Sequence, residues 1–219
     1  ASTELVAGDG DTPLISNSLN VGCVTFLEKY FPNGELSEHN YMNAIAAAEE
    51  AISTVRDLYK DFQWQEEVGA SGTVQAIQEI LMHQGFDEII DLGRLISIMQ
   101  QSITYGSIER LSIPGLAQER RLVFPSGVAI LIAIFRQLNL QGMTLAGGAL
   151  REGLLYSMLP ELTQMNVRER TLKSVMTRYH IDLEHANRVA DLSVDIAQQV
   201  SKQWRMDQFD ALDILRSAA

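Results

Sequence analysis

The sequence has 219 residues, of which 46% are hydrophobic and 21% charged, enough for one large domain or for one domain and part of a second. Its formal net charge of -11 argues against a general nucleic-acid or anionic-membrane binder. A phosphate-rich substrate stays open, because backbone N–H groups and arginines act locally while the field of exposed carboxylates is screened over ~8 Å at physiological salt.

Three further features predict the cellular setting. The single cysteine, Cys23, excludes an internal disulfide and predicts a reducing, cytoplasmic environment. The longest strongly apolar run, residues 128–135, is far shorter than the ~20 residues that span a bilayer, so we expect a buried helix there. The first residues lack the features of a signal peptide. We expect a cytoplasmic protein that binds neither membranes nor nucleic acid.

The chain alternates strand, turn and helix signals as far as residue 160. Strands are predicted at residues 3–6, 12–17, 66–70 and 143–145, and helices at residues 22–30, 38–60, 72–85, 92–105, 128–138 and 150–160, with one or two helical turns at 119–124. Ser37 is expected to cap the helix at residues 38–60, and Ser126 could cap the helix at residues 128–138. Ser2 and Glu4 share one face of the first strand.

The composition changes near residue 166, after which the chain has no glycine and no proline. Helical stripes are predicted at residues 167–179, 182–204 and from 208. In the second of these the inward side is expected to carry Leu183, Ala186, Val189, Ala190, Ile196, Ala197 and Val200. We therefore divide the chain into an α/β domain at residues 1–162 and the start of a helical domain at residues 163–219.

Glycine-rich turns between a strand and a helix occur at residues 69–73 and 147–149. Such a turn places free backbone N–H groups at the positive end of a helix dipole, where phosphate binds. The hairpin edge at Ser2, Thr3 and Glu4 offers a third segment of small polar residues. Each segment alone is equally typical of an ordinary tight turn. Together they predict one phosphate site.

Two charged residues have chemistry that suits this site. Glu4 could accept a proton from water or hold Mg²⁺, or it could be an ordinary polar residue on a half-exposed strand. Arg120 could contact phosphate, or it could be solvated surface. His180 and His185 are five positions apart, on different helix faces, which disfavours a zinc site. No Ser–His–Asp or Cys–His arrangement and no P-loop pattern can be found.

Five motifs resemble, in their order, those of exopolyphosphatases and guanosine pentaphosphate phosphohydrolases. They are Ser-Thr-Glu-Leu-Val at residues 2–6, Gly-Ala-Ser-Gly-Thr at 69–73, Phe-Pro-Ser-Gly at 124–127, Gly-Ala-Leu-Arg-Glu-Gly at 148–153 and Val-Arg-Glu-Arg-Thr at 167–171. Ala1 stands where the exopolyphosphatase branch more often has glycine, so the guanosine pentaphosphate branch is the nearer match.

The resemblance implies an α/β fold: an actin-like, ribonuclease-H-like lobe followed by the first helices of an all-α C-terminal domain. It implies that Glu4 is catalytic and holds Mg²⁺. It also implies a set of phosphate-binding residues, namely Ser2, Thr3, Ser71, Gly72, Arg120, Gly147 and Gly148. The roles of Arg151 and Glu152 stay open.

The resemblance also implies an activity, the removal of the terminal phosphate of pppGpp to give ppGpp, and a full-length homodimer. Alternatives are hydrolysis of polyphosphate, a non-catalytic binding or dimerisation module, and another actin-like ATPase lobe. The Asp-Ile-Gly-Gly expected before Ala1, the first lobe with its catalytic base, and a later His-Asp-like motif are not in the sequence, and Asn166 replaces the usual Asp. We therefore expect an inactive fragment of a longer enzyme.

Overall fold

The computed structural model describes residues 2–10, 12–62, 64–158, 172, 175–176, 178–204 and 209–218. These residues fall into two units, Ala1–Gly153 and Leu154–Ala219. The first unit is mixed α/β, and the described residues of the second are mainly helical. Among all of these residues, no helix combines the length and the apolarity that crossing a bilayer requires.

The strands and helices that begin in the first unit follow the predicted order. They are β1 (Thr3–Asp9), β2 (Thr12–Leu19), α1 (Cys23–Tyr30), α2 (Glu38–Tyr59), β3 (Val68–Gly69), α3 (Gly72–His83), α4 (Leu92–Tyr105), α5 (Phe124–Leu138), β4 (Thr144–Leu145) and α6 (Leu150–Ser157). Short 3-10 helices lie at Pro32–Gly34, Ile108–Arg110 and Gln118–Arg120. The helical turns predicted at residues 119–124 are the last of these 3-10 helices and the turn that leads into α5.

The antiparallel hairpin of β1 and β2 places Glu4 opposite Ser18. Leu5 and Ala7 are buried, whereas Glu4 is exposed. Because side chains alternate along a strand, burial of the apolar pair fixes the carboxylate on the open face. In the turn, Gly10 has a φ of 56°, which glycine adopts without a steric penalty.

Helix α5 forms the centre of the first unit. Its side chains from Phe124 to Phe135 are all buried, because it is apolar on every face and other helices surround it. Its most extensive contact is with α2, whose Ala44 and Ala48 are fully buried, and α1, α3 and α4 also pack against it. This packing fixes the positions at which α1, α3 and α5 begin.

The capping prediction at Ser126 is wrong. Helix α5 begins at Phe124, and Val123 is its N-cap. Proline is tolerated in the first turn of a helix, where its missing N–H would have no intrahelical partner, so the helix starts earlier than Ser126. The cap at Ser37 is confirmed, since its side chain accepts the N–H of Asn40 at 3.3 Å. Ser71 caps α3 in the same way, by accepting the N–H of Val74 at 3.2 Å.

The short strands β3 and β4 pair in parallel, with Gly69 opposite Leu145. The backbone N–H of Ala146 extends this pairing by donating to the carbonyl oxygen of Gly69 at 3.1 Å. Helix α3 follows β3 and helix α6 follows β4. Because parallel strands run in the same direction, both glycine-containing turns lie at the same edge of the pair.

The second unit contains α7 (Leu183–Trp204) and α8 (Phe209–Ala218), which pack together. Asp182 caps α7 by accepting the N–H groups of Glu184 and His185, both at 3.1 Å. An ion pair of 2.8 Å joins Arg216 of α8 to Asp191 of α7. The helical stripe predicted at residues 167–179 lies largely outside the described residues.

The prediction that the large apolar side chains of α7 face inward is wrong for three of them. Leu183 is 54%, Val189 36% and Ile196 53% exposed, whereas Ala190 and Ala197 are buried. The inward positions predicted at Ala190 and Ala197 are confirmed, and Ala186 and Val200 are half-buried. Periodicity therefore identified the helix and the small residues of its packed side, but not the exposure of these three larger side chains.

Candidate phosphate-binding site

Glu4 carries the carboxylate on the open face of the hairpin. Its Oε1 atom accepts hydrogen bonds from the hydroxyls of Ser2, at 2.6 Å, and of Ser18, at 3.2 Å. Ser2 is two residues away on the same face, and Ser18 is the cross-strand partner, so the hairpin register assembles this group. The two hydroxyls orient the carboxylate and leave its second oxygen available for water or a cation.

Thr3 points to the opposite face of β1. Its hydroxyl donates to the carbonyl oxygen of Val21 at 2.6 Å and so has no hydrogen left for a phosphate oxygen. The structure therefore separates the Thr3 side chain from Ser2 and Glu4, and the side chain fastens the hairpin to the segment that precedes α1.

At the N-terminus of α3, three of the predicted phosphate-binding residues lie close together. Ser71 accepts the N–H of Val74, which leaves its own hydroxyl hydrogen available. A Cβ on Gly72 would clash with the guanidinium of Arg120, whose atoms are the nearest neighbours of that position. Gly72 is thus the residue that lets Arg120 lie against the first turn of α3.

The placement of Arg120 is electrostatically unfavourable in the absence of an anion. A helix N-terminus carries partial positive charge and disfavours a nearby cation by about 0.3–1 kcal/mol. No carboxylate in the described part of the chain pairs with Arg120. The neighbouring Arg121 has a buried Nε atom that finds no hydrogen-bond partner among the described residues. An anion bound between α3 and the guanidinium of Arg120 would remove this unfavourable placement.

Three helix N-termini meet beside Arg120. Cys23, the first residue of α1, has its Sγ 3.8 Å from Oγ1 of Thr73 in α3, and its carbonyl oxygen accepts the hydroxyl of Ser126 in α5 at 2.8 Å. A Cβ on Gly127 would clash with the Thr73 side chain. The sequence placed Thr73 in the segment 69–73 that could line a phosphate site, and it indicated no functional role for Cys23. The recurrence of small residues after both helix starts, in Ser-Gly-Thr and Pro-Ser-Gly, was the available signal.

Gly147 and Gly148 follow β4 at the same edge as Ser71. Gly147 has open space at its Cβ position. The N-terminus of α6, however, is already occupied, because the Glu152 carboxylate accepts the N–H of Ala149 at 2.8 Å. This hydrogen bond lowers the pKa of Glu152 below its ordinary value. A phosphate at this turn would have to share the N–H groups with that carboxylate.

The structure thus joins the predicted residues in pairs. It brings Ser2 to Glu4 and Gly72 to Arg120, and it puts the Ser71 and Gly148 turns at one sheet edge. Within the described residues, one pocket lies at the carboxyl ends of α2 and α5 and another lies between α2 and α4. Neither pocket is lined by the predicted phosphate-site residues.

A divalent cation would have Glu4 as its protein ligand. No group of three or more His, Cys, Asp or Glu side chains that could hold a metal occurs among the described residues. Mg²⁺ commonly uses only one or two carboxylates and takes its other ligands from water and substrate phosphates. The single free oxygen of Glu4 fits a cation of that kind and does not fit a site made wholly of protein ligands.

Family comparisons agree with these features over both parts of the chain. The model of the Ppx/GppA phosphatase family matches residues 1–162, and that of Ppx/GppA phosphatase, domain III, matches residues 167–219. The chain is 48% identical over 219 residues to a guanosine-5'-triphosphate,3'-diphosphate pyrophosphatase of Pseudoalteromonas translucida (strain TAC 125), and 49% over 218 residues to one of Aliivibrio fischeri (strain MJ11). It spans 44% of the length of each.

Solved structures share the fold. The type II variant of the Aquifex aeolicus Ppx/GppA phosphatase matches with a TM-score of 0.59 and 21% identity, over 70% of this chain and 52% of that one. An exopolyphosphatase from Cytophaga hutchinsonii ATCC 33406 matches with a TM-score of 0.61 and 18% identity, over 76% and 55%. The α/β, actin-like fold class is thereby confirmed. With its motifs, its fold and most of its length matched in this way, the chain belongs to the Ppx/GppA phosphatase family.

Proposed function

We propose that this chain forms part of a phosphohydrolase that removes the terminal phosphate of pppGpp to give ppGpp. The names of the relatives that are 48 and 49% identical support this substrate. The chain covers 44% of their length, so the proposal concerns a longer protein that contains it. In that protein, residues 1–162 would be one lobe of the catalytic domain and residues 163–219 the start of a helical domain.

The observation that carries the proposal is the position of Arg120 over the first turn of α3. Gly72 is in close contact with the guanidinium of Arg120. This contact lies at the N-terminus of α3, where the helix dipole disfavours a cation. A phosphate oxygen between Arg120 and the N–H groups of α3 would turn this unfavourable arrangement into charge-assisted hydrogen bonds. Ser71, Gly147 and Gly148 would contact neighbouring phosphate oxygens.

Water would attack the terminal phosphorus in line with the departing diphosphate oxygen, and orthophosphate would leave. The Glu4 carboxylate, held by Ser2 and Ser18, would orient this water or hold Mg²⁺. When bound, Mg²⁺ supplies positive charge to the phosphate oxygens. Arg120 and the α3 N–H groups stabilise the charge that develops on the transferred phosphoryl group.

The test is hydrolysis of pppGpp by a protein of the relatives' length that contains this chain, with and without Arg120→Gln. We expect kcat/KM to fall at least tenfold, about 1.4 kcal/mol of lost transition-state stabilisation. Arg110→Gln is the matched control, because Arg110 also lies on a 3-10 helix beside a glycine, Gly106, but at the C-terminal end of α4. Equal activity of the Arg120 variant and the parent would remove Arg120 from the site, and absence of pppGpp hydrolysis by the parent would refute the proposed function.

Polyphosphate is the second candidate substrate, favoured by the structural match to an exopolyphosphatase. Competition between pppGpp and polyphosphate for the same enzyme separates the two. We further propose a cytoplasmic homodimer that binds neither nucleic acid nor membranes. If the chain were only a non-catalytic binding or dimerisation module, removing its Arg120 side chain would not change the rate of pppGpp hydrolysis. If it were another ATPase lobe, ATP would bind more tightly than pppGpp.

A further inference from the structure

A pocket of about 320 Å³ lies at the carboxyl ends of α2 and α5. It shares no residue with the phosphate-binding site described above. Its volume is at the lower end of the roughly 300–1,000 Å³ typical of small-molecule sites. It would therefore hold a single ring system and leave any attached groups in solvent.

Aromatic rings form one wall of this pocket. Phe62 and Trp64 are stacked, with ring centroids 5.3 Å apart and planes at 11°, and Tyr59 packs on Trp64 at 6.3 Å. Tyr59 is buried, and its hydroxyl lies 2.8 Å from both the carbonyl oxygen of Leu5 and Oδ1 of Asn17. The two hydrogen bonds of Tyr59 therefore hold the aromatic stack in place without a ligand. Such a wall accepts a flat ring by base–aromatic stacking.

The charged groups of the pocket are one carboxylate and two cations that are weakly paired with it. Asp57 lies 3.8 Å from Nε of Arg56 and 3.8 Å from Nζ of Lys60, distances longer than hydrogen bonds. Within the described residues, the side chains of these two cations make one hydrogen bond, a long one of 3.4 Å from Arg56 to Gln137. Donors and an acceptor therefore remain available side by side.

The charge balance favours an uncharged ring over a phosphate. The two cations face one carboxylate and the partial negative charges at two helix carboxyl ends, so little net positive charge remains. Guanine presents acceptors at O6 and N7, which suit Arg or Lys. Its N1–H and N2–H₂ donors suit a carboxylate. Adenine has an amino donor where guanine has O6, so it would meet the cations with the wrong group.

We propose that this pocket binds the base of a guanine nucleoside or nucleotide, with the ring stacked on the Phe62–Trp64 wall, Asp57 accepting from the guanine N–H groups, and Arg56 or Lys60 donating to O6 or N7. This site is separate from the phosphate-binding residues, and it stands whether or not the proposed hydrolysis is correct. Recognition resides in the base, so the attached phosphate contributes little.

The test uses tryptophan fluorescence of the 219-residue chain. Its two tryptophans are Trp64 and Trp204, so Trp204→Phe makes the reporter local to the pocket. GMP should quench the fluorescence of Trp64, AMP should bind several-fold more weakly, and inorganic phosphate should not displace GMP. Absence of quenching by GMP at millimolar concentration, equal binding of AMP, or displacement by phosphate would each overturn the proposal.

Two variants assign the contacts, and calorimetry provides a readout independent of fluorescence. Phe62→Leu should weaken GMP binding roughly tenfold, as expected for the loss of stacking. Asp57→Asn should abolish the preference for GMP over AMP. Asp61→Asn is the matched control, since Asp61 is an exposed neighbour that does not line the pocket. If all three variants bind GMP like the parent, the base does not occupy this pocket.

Discussion

Hydroxyl groups and backbone N–H groups, more than ion pairs, organise the charged residues of the proposed site. Glu4 is held by Ser2 and Ser18, and Glu152 by the backbone of Ala149. Arg120 has no carboxylate partner within the described residues. A site that binds phosphate gains from this arrangement, because positive charge that is not already neutralised by the protein is available to the ligand.

At Glu4, replacement by Gln preserves the shape but removes the negative charge that holds water or Mg²⁺. We expect Glu4→Gln, in a protein of the relatives' length, to reduce the rate of pppGpp hydrolysis at least tenfold, about 1.4 kcal/mol of barrier. The measurement is steady-state release of phosphate at saturating pppGpp. Glu109→Gln, at an exposed position, should leave the rate within twofold, roughly the spread of neutral surface substitutions. An unchanged rate for Glu4→Gln would remove Glu4 from the mechanism.

At Glu152, the hydrogen bond from the N–H of Ala149 keeps the folded-state pKa below the ordinary value of 4.5. A depressed pKa contributes stability that is present above the unfolded value and is lost as the pH falls through the folded one. Glu152→Gln should therefore lower the free energy of unfolding at pH 6 and have less effect at pH 3. Urea denaturation at the two pH values measures this. A difference that grows toward pH 3 would contradict the assignment.

At the scale of elements, the site depends on the convergence of the N-termini of α1, α3 and α5. Small residues make that convergence possible, because a side chain at position 72 or 127 would occupy space that Arg120 or Thr73 already fills. The buried helix α5 keeps the three helix N-termini together, since α1 and α3 both pack against it.

Gly127→Ala tests this convergence. The added Cβ would collide with the Thr73 side chain, and overpacking of this kind lowers the free energy of unfolding by about 1–3 kcal/mol. Thr73→Ala removes the atoms in closest contact, so Gly127→Ala should be less destabilising in that background. Gly147→Ala is the control, because no atom lies within 4 Å of its Cβ position. Additive losses in the double variant, measured by urea denaturation, would show that the two positions do not touch.

At the scale of the whole molecule, the chain spans 44% of the length of its curated relatives. The one free oxygen of Glu4 and the open Arg120 provide phosphate and cation contacts, but the described residues include no group of three or more His, Cys, Asp or Glu side chains that could hold a metal by themselves. The proposed chemistry therefore needs groups from outside this chain.

We accordingly expect the purified 219-residue chain to turn over pppGpp at less than a hundredth of the rate of a protein of the relatives' length, since loss of a general base removes about 10²–10⁴-fold. Phosphate release under identical conditions provides the comparison. Circular dichroism of the isolated chain is needed beside it to show that the chain is folded. Comparable turnover by the isolated, folded chain would overturn this division of labour.

Local signals in the sequence identified the strands and helices, the serine cap at position 37, and the glycine turns at residues 69–73 and 147–149. These features depend on residues within a few positions of each other, so periodicity and capping chemistry are sufficient to predict them. The motif order was enough to predict the family and the fold class. The assignment of the site residues stays a prediction.

Only the tertiary structure decided which of these features meet. The local pattern indicated that Ser126 caps a helix. Its hydroxyl instead donates to the carbonyl oxygen of Cys23, 103 positions away in the chain, and so links α5 to α1. Glycine is needed at position 72 because a Cβ there would meet Arg120, and at position 127 because a Cβ would meet Thr73. Such contacts depend on how helices pack around α5, and no local rule encodes the distance between residues that are remote in sequence.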